Sequence, residues 1–124
     1  VCAGAIGNTA AWQRAAVSPL PRLEPGDFPE ASRDAIVAAA AAARARPDDP
    51  DMVGRLGMVL QAWQQFDAAA VTFARAQALA PARVDWWYLG GLVDAARAMP
   101  AEAARQFARA LPLAGADAPL VRLR

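Results

Sequence analysis

The sequence predicts an all-α protein in which antiparallel helix pairs stack as a short solenoid, preceded by a Pro-rich N-terminal arm. From residue 31 onward the chain consists almost entirely of strong helix formers, interrupted by short turns. Its apolar pattern recurs at an offset of 33 or 34 residues, the size of a helix pair with its turns. No segment alternates between apolar and polar residues with period two, so no β-sheet is expected.

The predicted arm covers residues 1–30, where several prolines remove backbone donors and oppose helix formation. Its candidates for packing on the domain are Leu20, Leu23 and Phe28. The repeat domain covers residues 31–124 and divides into a cap helix 31–46, repeat one about 50–82, repeat two about 83–115, and the start of a further repeat 117–124. Within the two repeats, helices are predicted over about 51–64, 67–79, 84–98 and 101–111.

The recurrence extends over both helices of a unit. Shifted by 33 residues, the first helix matches through Val53 on Trp86, Leu56 on Leu89 and Gly57 on Gly90. Shifted by 34, the second helix matches through Ala69 on Ala103, Phe73 on Phe107 and Ala76 on Ala110. The change of offset predicts one extra residue in the turn at 100–102, where an insertion does least harm.

These positions resemble the tetratricopeptide repeat, a helix-turn-helix of about 34 residues with the pattern W-x2-L-G-x2-Y, then A-x3-F, then P. The repeat-packing residues of the first copy are Leu56, Gly57, Ala69, Phe73, Ala76 and Pro81, and those of the second are Trp86, Leu89, Gly90, Ala103, Phe107 and Ala110. The first copy departs from the pattern with Val53 at the aromatic position, and the second has Gly115 where Pro would fall. Glycine and alanine at these sites let neighbouring helices approach, and the aromatic side chains fill the space between units.

The resemblance implies a right-handed superhelix whose concave groove, lined mainly by the first helix of each unit, holds a segment of a partner protein. The groove residues it implies are Arg55, Met58, Gln61, Trp87 and Asp94, with Asp51, Gly54, Ala62, Val84, Gly91 and Ala95 on the same face. The expected function is protein interaction or scaffolding, with a protein or peptide as partner. The alternative is a structural subunit permanently embedded in a larger complex that associates with a membrane.

The composition argues against other classes of function. The 13 basic residues are all Arg, they nearly balance 12 acidic residues, and they form no basic stripe, so nucleic acid is not expected as a partner. The chain has no His, the usual general base and metal ligand. The carboxylates of Asp48, Asp49 and Asp51 are better explained as helix caps than as a metal site. We therefore expect no enzymatic activity, cofactor, metal or small-molecule substrate.

The compartment depends on how the first residues are interpreted. The segment 1–7 is small and apolar, and it is compatible with the remnant of a leader, a lipid-modified Cys2 or an ordinary N-terminus. The first two favour an exported protein, periplasmic or lipid-anchored, and the third a cytoplasmic one. Membrane association is expected only through a lipidated Cys2. Because the pattern in 117–124 stops within a motif, we expect a fragment of a longer array rather than a frayed end.

Overall fold

The computed structural model describes residues 18–114, and this part of the chain is helical, with no strand in it. A 3-10 turn at Pro25–Asp27 precedes five α-helices, which are α1 Glu30–Ala45, α2 Pro50–Ala62, α3 Phe66–Leu79, α4 Val84–Ala96 and α5 Pro100–Ala114. The all-α prediction is confirmed, and each predicted helix lies within a few residues of an observed one. The predictions for Cys2, for Gly115 and for 117–124 fall outside the described residues.

The helix ends follow from local chemistry. The side chain of Asp49 caps α2 by accepting a hydrogen bond from the amide of Asp51 at 2.9 Å, and Pro50 takes the first helical position, where no donor is needed. After α2 and α4, Gln64 and Ala98 adopt left-handed φ values of 60° and 58°. This conformation reverses the chain and lets the next amide bond back into the helix it follows.

The period of the structure is 34 residues throughout, which corrects the mixed offset of the sequence comparison. The helices α2 and α4 begin at Pro50 and Val84, and α3 and α5 begin at Phe66 and Pro100. The left-handed residues Gln64 and Ala98 are separated by the same interval. The prediction of an extra residue at 100–102 is therefore wrong.

The corrected period changes the pairing of α2 with α4 by one residue. Gly57 is equivalent to Gly91 rather than to Gly90, and Val53 is equivalent to Trp87 rather than to Trp86. An alignment shifted by one residue also matches similar residue types, because 86–87 is a Trp doublet and 90–91 is a Gly doublet. The identical turns after α2 and α4 fix the spacing that these doublets left ambiguous.

The helices pack in chain order around a shared core. Each helix contacts the next along the chain, and α2 also contacts α4. The fully buried large side chains of this core are Phe73, Ile36, Leu56, Leu60, Val53 and Val93. From the segment before α1, Phe28 is buried and both Leu20 and Leu23 pack against the core.

The segment that precedes α1 is also tied down by hydrogen bonds. Arg75 of α3 donates to the carbonyl of Ser18 at 3.0 Å and to that of Pro47 at 2.8 Å. Its third nitrogen pairs with Asp48 at 3.2 Å. One guanidinium thus joins α3, the turn after α1 and the chain at residue 18. None of the helices within 18–114 is both long enough and apolar enough to cross a bilayer.

Candidate functional site

Three of the five predicted groove residues lie on an accessible side of α2. Met58 is 49% exposed, although it is a large apolar residue. Arg55 is exposed and forms no ion pair with any residue between 18 and 114. Gln61, one position before the end of α2, is half-buried. This side of α2 therefore offers an apolar contact, an amide and an available cation.

The corrected period reveals a residue that the sequence comparison missed. Leu92 of α4 is equivalent to Met58, and it is 37% exposed. Ala62 and Ala96 are likewise equivalent, and both are exposed. We call the set Arg55, Met58, Gln61, Ala62, Leu92 and Ala96 the α2–α4 face. A uniform offset of 34 would have identified Leu92 from the sequence.

The charged side chains at the beginning of α2 and α4 pair with one another. Arg83, just before α4, pairs with Asp51 of α2 and with Asp85 of α4, the latter at 3.3 Å. The hydrogen bond that Arg83 donates to Asp51 is the main reason that the pKa of Arg83 is raised above its usual value, and Asp85 adds to it. This bridge joins the two helices at one end and leaves Arg55 as the available cation of the α2–α4 face.

Asp94, which was expected to face the groove, is buried instead, with 5% of its surface exposed. Its carboxylate accepts hydrogen bonds from Arg97 at 3.0 Å and from Gln106 at 2.7 Å. The equivalent residue in the preceding unit is Leu60, which is fully buried. Asp94 thus points into the packing between α4 and α5, and the prediction of a groove contact is wrong.

The Asp94 carboxylate is the centre of a network of polar side chains that joins three helices. The amide nitrogen of Gln77 in α3 donates to the backbone carbonyl of Trp86 at 3.0 Å and to the side chain of Gln106. Arg97 also donates to Asp67 at 2.9 Å, and this bond is the main cause of a raised pKa for Arg97. The hydrogen bonds of the network are made within the fold, so we interpret it as a structural element, and its Asp94, Arg97 and Gln106 side chains also border a surface cavity of about 560 Å³.

Trp87, the second expected groove residue of α4, is also engaged within the fold. It is half-buried, and its Nε1 donates to the carbonyl of Pro81 at 2.9 Å. The guanidinium of Arg109 in α5 lies 4.7 Å from the centre of its ring. Trp87 therefore ties the turn before α4 to α5 and is not part of the α2–α4 face.

Trp86 fastens α4 to the preceding unit. It is 3% exposed, and its ring stacks on Phe73 with centroids 6.2 Å apart. A Cβ atom at Gly54 would overlap this ring, so glycine is required there and Gly54 is covered rather than groove-lining. Arg83 lies 4.6 Å above the ring, whereas Nε1 has no acceptor among the described residues.

The remaining packing residues occupy the contacts within and between units. A Cβ atom at Gly57 would lie 2.7 Å from the Phe73 ring, and one at Gly91 would lie 2.5 Å from the Phe107 ring. These equal contacts identify Gly91 as the repeat glycine of the second unit. The buried members of the predicted set are Leu56, Gly57, Ala69, Phe73, Ala76, Trp86, Gly90, Ala103 and Ala110, while Leu89 and Phe107 are half-buried and Pro81 is exposed.

Each of the acidic residues around Pro50 either caps a helix or pairs with an arginine. Asp49 caps α2, Asp48 pairs with Arg75 and Asp51 pairs with Arg83. Between residues 18 and 114 no cluster of three or more His, Cys, Asp or Glu side chains has the arrangement of a metal site.

Replacing Trp87 by phenylalanine tests its internal role. The Pro81 carbonyl would lose its donor while the aromatic ring stays beneath Arg109, and we expect a loss of about 0.5–1.5 kcal/mol in the free energy of unfolding. Urea titrations followed by circular dichroism measure this. The exposed Trp63 is the matched control, and Trp63→Phe should leave stability unchanged. Equal effects of the two substitutions would contradict this assignment.

Comparisons of the chain with protein-family models, with curated protein sequences and with solved structures find no match. A function for this chain therefore rests on its internal period and on the surfaces that this period relates.

Proposed function

We propose that this chain is a helical repeat module of the tetratricopeptide type that holds a segment of a partner protein on its α2–α4 face. The observation that carries the proposal is the exposure of Met58 and Leu92 at equivalent positions of two helices that touch each other. Single exposed apolar residues are common on protein surfaces. A pair repeated with the period of the fold, on two helices in contact, favours a binding function.

The chemistry of the face indicates what it would bind. Ala62 and Ala96 are small, so a partner backbone can approach closely beside the two larger apolar side chains. Methionine adapts its shape to different apolar partners. Arg55 has no ion pair within the described chain, whereas Asp51 and Asp85 are both paired with Arg83. The partner that fits best is an amphipathic segment with apolar residues toward Met58 and Leu92 and a carboxylate near Arg55.

The rigid packing of α4 also favours binding at the α2–α4 face. The Trp86 ring locks α4 against α2 and α3, and the Asp94 network locks it against α5. A face held in one arrangement loses little conformational entropy when it binds, which raises affinity. No chemical reaction is proposed, because no buried or activated nucleophile or acid-base pair lies on this face in the described part of the chain.

A second candidate function is that of a subunit embedded in a larger complex. The observation that favours it is the exposure of Leu111 and Leu113 at the end of α5. Such an apolar end would be covered in an assembly.

The proposed groove is tested with peptides selected from a random library on the immobilised chain. We expect Met58→Asp and Leu92→Asp each to weaken binding of the selected peptides by about fivefold or more, since loss of one apolar anchor costs at least about 1 kcal/mol. Titration calorimetry measures the affinity, and thermal melts establish that the variants stay folded.

The matched control is Val71→Asp, because Val71 is a similarly exposed apolar residue on α3. It should leave peptide affinity unchanged. The proposal fails if Val71→Asp weakens binding as much as the two face variants, or if peptides bind normally to Met58→Asp and Leu92→Asp. Arg55→Glu should reverse the preference for acidic peptides, which tests the predicted charge of the partner.

A further inference from the structure

The apolar anchor that α2 contributes to the α2–α4 face is a thioether, which peroxides oxidise. The sequence contains three methionines, at positions 52, 58 and 99. Met58 is 49% exposed and Met99 is 37% exposed, whereas Met52 is half-buried. Conversion of methionine to its sulfoxide requires that the oxidant reach the sulfur, so we expect Met58 to react at least as fast as the other two.

The two anchors of the α2–α4 face differ in this chemistry. Leu92, at the equivalent position of α4, is a hydrocarbon that carries no sulfur to oxidise. Met99 does carry one, but it lies on another surface, where it borders the cavity that Val71 and Glu102 also line. Oxidation of the chain therefore alters one anchor of the α2–α4 face and leaves the other unchanged.

The reaction converts an apolar anchor into a polar one. A lone pair of the Met58 sulfur attacks one oxygen of hydrogen peroxide, so that an S–O bond forms as the O–O bond breaks. The second oxygen leaves as water, having taken the proton of the first. The sulfur is oxidised by two electrons, and the peroxide is reduced by the same two. The product is a polar, chiral side chain, and such a change disrupts apolar contacts with a partner.

Arg55 adds a second consequence of the same reaction. Residues three apart on a helix are neighbours on its surface, so the side chains of Arg55 and Met58 lie within reach of each other. Both are exposed, and Arg55 forms no ion pair with any residue from 18 to 114. The new sulfoxide oxygen is a hydrogen-bond acceptor for this guanidinium. Oxidation thus also engages the cation that is available to a carboxylate of the partner.

We propose that oxidation of Met58 to its sulfoxide releases the partner segment from the α2–α4 face, an inference that rests on the proposed function. One added oxygen atom removes the apolar anchor of α2 and occupies the neighbouring Arg55. The fold itself is unaffected, because the Met58 side chain lies outside the buried core. The α2–α4 face thereby responds to peroxide through a single side chain.

The test isolates Met58 as the only sulfur in the protein. The chain has one cysteine, so Cys2→Ser is introduced into every variant, and Met52→Leu with Met99→Leu leaves Met58 as the only methionine. Peptides are selected on this reduced protein, which is then treated with hydrogen peroxide. Mass spectrometry of its fragments measures the oxygen gained at residue 58. We expect the oxidised protein to bind the peptides about fivefold more weakly or worse, and to lose its preference for acidic peptides.

The matched control is Met58→Leu, in which Met52 and Met99 are retained. Its peptide affinity is measured before and after the same treatment, and the two values should be equal although the other two methionines gain oxygen. Thermal melts of the oxidised proteins establish whether they stay folded.

Four outcomes would overturn the proposal. The first is an unchanged affinity after complete oxidation at residue 58, and the second is an equal loss of affinity in Met58→Leu. The third is an oxidised protein that loses peptide only because it unfolds. The fourth is resistance of Met58 to peroxide that fully oxidises Met99 in the Cys2→Ser chain.

Peptide capture by the reduced protein tests the proposed function separately. If the reduced protein binds peptides and Met58→Asp weakens them, the proposed function stands whatever the effect of peroxide. If the reduced protein selects no peptides, both proposals fail.

Discussion

Replacing Trp86 by alanine is expected to lower the free energy of unfolding by about 3–5 kcal/mol, the range for a fully buried large aromatic residue. The ring lies between Gly54 of α2 and Phe73 of α3, so its removal opens a cavity where the two units meet. The total free energy of unfolding of a small domain is only about 5–15 kcal/mol. Urea unfolding of the variant should therefore approach the loss of the folded state or separate into two transitions.

A smaller change provides the control for this result. Trp86→Phe keeps most of the buried ring, and it removes no hydrogen bond, because Nε1 has no acceptor among the described residues. We expect it to recover more than half of the stability that Trp86→Ala loses.

The contact with Gly54 is tested by a double-mutant cycle. Gly54→Ala should destabilise the original chain strongly, because its Cβ overlaps the Trp86 ring. The same substitution should have little effect in a Trp86→Ala background, where that space is empty. Additive effects of the two substitutions would show that the residues do not share this space.

Replacing Asp94 by alanine is expected to lower the free energy of unfolding by about 1–3 kcal/mol or more, the second large effect. The amide of Gln106 and one nitrogen of Arg97 would remain buried or half-buried without their acceptor. Asp67→Ala is the matched control, since it removes the other carboxylate bound to Arg97 but is 94% exposed. It should change stability little. Equal effects from the two aspartates would contradict the assignment of Asp94 as the centre of the network.

The preceding unit suggests a replacement for the central pair of the network. Leu60 is equivalent to Asp94, and Thr72 is equivalent to Gln106. In the double variant Asp94→Leu with Gln106→Thr, Arg97 keeps Asp67 as an acceptor and Gln77 keeps the carbonyl of Trp86. The double variant should therefore recover part of the loss, because apolar replacements of buried polar groups cost least when their partners change as well.

The ion pairs of Arg97 and Arg83 determine how these two arginines affect the pH dependence of stability. The carboxylates of Asp67 and Asp51 are the main reasons for the raised pKa values of Arg97 and Arg83. A raised pKa in the folded state means that the guanidinium contributes fully below its ordinary value and loses that contribution only at higher pH. Because the ordinary pKa of arginine lies far above pH 9, the arginines themselves give no pH dependence of stability between about pH 6 and pH 9.

The sequence predicts helix positions well because helix formers and turn residues act locally. The cap at Asp49 and the prolines after α1 determine boundaries without help from the tertiary structure. The alignment of α4 was harder, since the doublets at 86–87 and 90–91 tolerate a shift of one residue. The left-handed residues Gln64 and Ala98 determine the correct alignment, but neither is a residue type that predicts such a turn from the sequence.

The candidate site was predicted only in part for a related reason. Met58 and Arg55 are exposed on α2, and their contact with a partner stays a prediction. Asp94 was misplaced because the offset of 33 made it equivalent to Gln61, whereas at the period of 34 it is equivalent to the buried Leu60. Its burial depends on donors from Arg97 and Gln106, which come together only when α4 and α5 pack.

The pairing of Gly54 with Trp86 gives the array a fixed order of units. The turns after α2 and α4 have the same backbone, so an added copy of residues 50–83 would fit the path of the chain. Such a copy would bring Met52 to the place of Trp86 and would set a second Gly54 where Tyr88 now packs. The large Trp86 side chain therefore fits only against a position without a side chain, such as Gly54. Exchanging the order of the units would leave a cavity or cause a clash.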